Sequence, residues 1–237
     1  MPGLFRVGGR RLALNGVSLD LCRKAGRVGA RRFAPVSGVA AVALILAGFA
    51  AAGNAPKGTS SVAKVVAYFS KHSSAQTTSG VLLSLGALLF LVFSASFAAR
   101  VRSVPGGAAL CLLGAGVLAV GLTTYAGLSI AMADVVAHVP GSALQVLNVL
   151  ADDAVFVFLI TIGTSAFLLG AAAAVFGTAL LPRWLAWWAV AFAIVGAIPS
   201  HVLGGTLDHI GLLAFAGLGI WALVVGVMLT VRAQTAE

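Results

Sequence analysis

Residues 153–178, DAVFVFLITIGTSAFLLGAAAAVFGT, constrain the fold of this chain more than any other stretch. From Ala154 through Thr178 no charged side chain occurs for 25 positions. As an α-helix at 1.5 Å per residue, such a run covers a hydrocarbon core of about 30 Å. A helix is also the one open segment that satisfies all its backbone polar groups without water. Composition extends the argument to the whole chain. Of 237 residues, 60% are hydrophobic and 9% charged, and mean hydropathy is +1.08. Soluble domains carry about a quarter charged residues, so a water-facing surface cannot be assembled here, and the expected solvent is lipid.

The remaining apolar segments predict an all-α polytopic membrane bundle of six transmembrane helices. Spans are expected at about 34–53, 80–99, 106–130, 153–178, 184–199 and 209–231, the fifth being the shortest. A basic arm (1–33) precedes this single domain (34–232), and a short tail (233–237) follows. Pro35 suits the first turn of span one, where a missing N–H costs nothing. Trp184, Trp187 and Trp188 read as a headgroup-level belt.

Between spans one and two, residues 61–72 place Val62, Val65, Val66 and Phe69 at i, i+3, i+4 and i+7, with Lys64 and Lys71 off that stripe. This predicts an amphipathic helix, lying along the outer interface or lidding the bundle, capped by Thr59 or Ser60. In the second outer loop, Pro140–Gly141 should end a turn, and Ser142 should start a short helix through Leu150. Glycines recur at seven-residue intervals: Gly163, Gly170 and Gly177; Gly114 and Gly121; Gly219 and Gly226. They read as smooth ridges for close helix contact, within the chain or toward a partner or second copy. Thr123, Thr124 and Tyr125 form a polar patch in span three; Thr161, Thr164 and Ser165 form another in span four.

Charge orients the bundle. Eight of the fifteen Lys and Arg residues fall in 1–33, and Arg100, Arg102, Arg183 and Arg232 close spans on the same side. Lys57, Lys64 and Lys71 alone fall on the other. The positive-inside rule therefore predicts N-in/C-in topology in the cell membrane. The net charge of +9 is absorbed by this bias and needs no nucleic acid. Cys22 and Cys111 fall in different environments, so a disulfide is not expected.

With this topology all four histidines lie outside, together with Asp134, Asp152, Asp153 and Asp208. Asp134 and His138 share a face if the third helix continues outward. Asp134, His138, Asp152, Asp153, His201, Asp208 and His209 are thus candidate ligands at the outer mouth. Imidazoles and carboxylates suit Zn²⁺ or another divalent ion, which with one open position would activate water. The spacings match no compact signature: there is no HExxH and no His-x₃-His pair. The same acids could couple a proton or solute, or simply position helix ends near the N-terminus of span four. No Ser-, phosphate- or dinucleotide-binding motif assigns a catalytic or cofactor-binding residue. The preferred expectation is a non-enzymatic transporter-like or partner-binding membrane subunit in contact with lipid. The alternative is a metal-dependent membrane hydrolase.

The run SVAKVVAYFSKHSSAQTTSGVLLSLGALLFLVFSASFAARVR resembles the first outer loop and second span of a group of uncharacterised actinobacterial six-span membrane proteins. LPRWLAWWAV and GIWALVVGVMLTVR are similar to that group's ending. The resemblance covers about 35–232 and implies a six-helix integral membrane fold, with no activity, substrate or cofactor. The long basic arm departs from it.

Overall fold

In a computed structural model of the protein, residues 36–197 and 210–234 are described. They are all-helical, with no strand among the described residues. In chain order the elements are α1 (Val36–Ala52), α2 (Val62–Lys71), α3 (Ser73–Arg100), α4 (Pro105–Val135), α5 (Gly141–Val149), a π-helical segment (Leu150–Ile160), α6 (Thr161–Phe176), α7 (Arg183–Ala197) and α8 (Ile210–Gln234).

Among the described residues, four helical stretches are long and apolar enough to cross a membrane: Ser73–Arg100, Pro105–Val135, Gly141–Phe176 and Leu212–Arg232. Val36–Ala52 and Arg183–Ala197 are apolar but shorter. The expected short helix after Pro140 is therefore not separate from the fourth span. α5, the wide turns and α6 form one rod of 36 residues, about 50 Å long. Ser142 and the two aspartates resembled a break in sequence, yet Leu150 keeps helical backbone angles (φ −62°, ψ −42°) and the chain runs on. α3 likewise starts seven residues before the expected span, because SSAQTTS joins the helix instead of the loop.

Packing is tightest between α4 and α6, where the glycine ridges meet. A Cβ on Gly114 would overlap the Phe167 backbone nitrogen, and one on Gly163 would overlap that of Leu118. A Cβ on Gly170 would lie 2.5 Å from the Cys111 nitrogen, and one on Gly107 3.0 Å from that of Ala174. The two backbones touch along the seam, which is how helices associate where lipid supplies no hydrophobic drive. Gly219 of α8 behaves differently: a Cβ there would have one neighbour, Val42 Cγ1 at 3.7 Å.

Around the seam, Phe90, Phe93, Phe97, Phe167 and Trp221 form a buried aromatic core. Trp221 Nε1 donates to Leu185 O at 3.1 Å, tying α8 to α7. Trp184 and Trp187 are exposed, as a belt requires. Trp188 instead turns inward and donates to Gly217 O at 3.2 Å. Cys111 is buried and free; Cys22 lies outside the described residues. Thr164 and Ser165 are buried in α6, and their hydroxyls have no hydrogen-bond partner.

At one end of the bundle α2 and α5 pack together over the end of α4. Val65 and Phe69 of α2 bury against Met132, Leu144 and Ala151. The amphipathic stripe thus faces this small second core. Ser61 is the residue before the helix, and its side chain makes no capping bond. We refer to this end as the cap.

Candidate functional site

The polar side chains that converge do so under the cap, and they converge on the loop 53–61. α1 is followed by Gly53, whose φ of +67° is left-handed and favours glycine; its N–H bonds to Phe49 O at 3.1 Å. Beyond it, the rod formed by α5 and the π-helical segment grips the loop at three points. The Gly58 N–H donates to Asp152 Oδ2 at 2.7 Å. Gln145 Nε2 donates to Gly58 O at 2.6 Å, and Asn148 Nδ2 to Lys57 O at 3.0 Å. Spacings of three and four residues set all three side chains on one face of that rod. The wide turns begin at Leu150, two residues before Asp152.

A second set of contacts fixes α2 and the start of α3. The Tyr68 hydroxyl donates to Ala52 O, and Gln76 Nε2 donates to the Tyr68 oxygen at 2.5 Å. His72 stacks on Tyr68 with ring centroids 4.8 Å apart. Burial pushes the Tyr68 phenol above its ordinary 10.0, against a smaller downward pull from the Gln76 hydrogen bond.

These groups enclose a cavity of about 60 Å³, lined by Gln76, Tyr125, Ser129, Asn148 and Asp152 together with the 55–57 backbone region. Gln76, Ser129 and Asn148 are all buried. A polar space of this size accommodates about two waters, since a water occupies about 30 Å³ in the liquid and needs two to four polar partners. Below it the character changes sharply. Tyr125 packs on Phe49 (6.2 Å) and Phe156 (5.8 Å), and Phe49 packs in turn on Phe215 (5.8 Å). This aromatic layer separates the polar cavity from an apolar groove between α1 and α8.

The expected ligands are distributed as follows. Asp152 lines the cavity and holds the Gly58 N–H. Asp134 is exposed on the last turn of α4. That helix ends at Val135, so exposed His138 follows in a turn, with its N–H on Val135 O at 2.8 Å. The Asp153 side chain, His201, Asp208 and His209 lie outside the described residues. Among the described residues, no three His, Cys, Asp or Glu side chains come together as a metal site.

Sequence reasoning missed Gln76, Gln145, Asn148, Tyr68 and Ser129. A usable signal was present for two of them. Gln76 shares its helix face with Gly80, Leu83 and Ala87, and Asn148 shares its face with Leu144 and Ala151; all seven residues are buried. An amide on an apolar face must find a hydrogen-bond partner. The patch at Thr123–Tyr125 divides: Thr123 bonds back to Ala119 O at 2.8 Å, while Tyr125 turns into the cavity.

No protein-family model matches the chain, and no curated protein or solved structure is similar to it.

Proposed function

We propose that the protein is a non-enzymatic integral membrane subunit of six spans with both termini in the cytoplasm, grouped with the six-span proteins it resembles. The four long apolar helices support a membrane location. The two shorter apolar helices complete the six, and the distribution of Lys and Arg supports the orientation. One observation carries the non-catalytic reading. The polar side chains under the cap bind the chain's own backbone: Asp152 and Gln145 at Gly58, Asn148 at Lys57, and Tyr68 at Ala52. Their work is to position a loop over the bundle. Gly107 and Gly114 of α4 and Gly163 and Gly170 of α6 are likewise occupied by the facing helix, so a partner or second copy would meet a different, lipid-facing surface.

Topology tests this reading through a membrane-impermeant maleimide and single cysteines. Native Cys22 serves for the N-terminus, and Lys64→Cys, Arg102→Cys, His138→Cys and Arg183→Cys are made in a Cys22→Ser background. Lys64→Cys and His138→Cys should label in intact cells; Cys22, Arg102→Cys and Arg183→Cys should label only in inverted vesicles. Labelling of Cys22 from outside would remove span one, and a fully reversed pattern would overturn the orientation.

A further inference from the structure

The groove between α1 and α8 has a volume of about 270 Å³ and is walled almost wholly by hydrocarbon. Phe49 and Leu212 stand at its cap end, Phe90 and Leu118 form its buried floor, and Val42 faces Gly219 across it. Leu46 and Leu212, on its rim, are 60% and 51% exposed. Gly219 itself leaves room, since an added Cβ there would touch a single atom.

Three observations identify an occupant. The first is length: from Leu212 to Leu223 the α8 wall spans 12 residues, about 16 Å along the axis, or half of a hydrocarbon core of about 30 Å. That is the depth of one leaflet. The second is volume. An apolar cavity of about 150 Å³ holds the six carbons of benzene, so at the same density this groove holds roughly ten methylenes, most of one leaflet's chain. The third is polarity at the end. Phe49 of the groove contacts Tyr125, which lines the polar cavity, so polar groups lie just beyond the cap end of the groove and hydrocarbon extends away from them. This is the profile of an amphiphile standing with its head toward the cap.

We infer that the groove seats one acyl chain of a bilayer phospholipid from the leaflet on the cap side. The inference rests on the membrane reading proposed above, and membrane integration of each variant is checked separately by resistance to alkaline extraction. The groove is occluded by Gly219→Leu and, independently, by Ala216→Phe, which lies on the same wall. Gly116→Phe is the control, because Gly116 on α4 has open space around it and no place in the groove. Full-length protein is purified in mild detergent, washed with lipid-free detergent, and its phospholipid measured by extraction and mass spectrometry.

Wild type and Gly116→Phe should retain about one phospholipid per chain, with at least a tenfold loss in both groove variants that remain monodisperse. Equal retention in all four proteins, or none in wild type, would overturn the inference while leaving membrane integration intact. Conversion of a dimer to a monomer by the groove variants without loss of lipid would assign the groove to a second copy. Phospholipid appearing only after removal of residues 1–33 would assign it to the chain's own N-terminal segment. Either result also overturns the inference.

Discussion

Glycine has two different meanings in this chain, and they predict opposite outcomes for one substitution. Gly114 faces the Phe167 backbone, which cannot rotate away as a side chain would. Gly114→Ala must therefore separate α4 from α6, at a cost of about 1–3 kcal/mol. Gly116 lies two residues along the same helix with nothing within 4 Å. There, alanine only restricts the unfolded chain and favours the helix, so Gly116→Ala should be neutral or stabilising by up to about 1 kcal/mol. Unfolding of the two variants in detergent, by heat or by SDS titration, measures the contrast. Equal shifts would mean that the seam does not hold the bundle.

At the scale of elements, the cap depends on a loop held by a helix almost a hundred residues away in sequence. Asp152 accepts the Gly58 N–H at 2.7 Å, and a hydrogen bond to a charged group contributes about 1.5–3 kcal/mol. Asp152→Ala should therefore raise amide exchange in 53–61 by about tenfold or more, since about 1.4 kcal/mol is a factor of ten. Exchange in the middle of α4 and α6 should stay unchanged. Asp152→Asn keeps an acceptor without the charge and should fall between, as neutral hydrogen bonds are about half as strong. Much of this level was legible beforehand. The Val65–Phe69 stripe announced α2 but not the surface its apolar face meets, and heptad glycines announced close helix contact but not which helices meet, because a period marks a face and leaves its partner open. The strap was not legible: Gln145, Asn148 and Tyr68 are single polar residues whose partners are backbone atoms, and a backbone partner leaves no mark in sequence. The continuity of Gly141–Phe176 was hidden for a related reason. Asp152 resembles a helix-start residue, and only its capture of Gly58 explains its place inside a rod.

At the scale of the molecule, the histidines and acids that share one side of the chain do not share one place among the described residues. Asp134 and His138 are exposed, and Asp152 is engaged with the loop. Elemental analysis of detergent-purified protein should therefore show that Asp134→Ala/His138→Ala leaves metal content unchanged, with folding also unchanged. Stoichiometric metal lost in the double variant would restore the hydrolase alternative. The long rod has a further, mechanical consequence. At about 50 Å it exceeds a hydrocarbon core of about 30 Å, so in a bilayer part of it would have to stand outside the hydrocarbon, while its lower half is meshed backbone to backbone with α4. Two meshed rods cannot slide past one another. A sideways push on the cap would therefore be carried by both rods together.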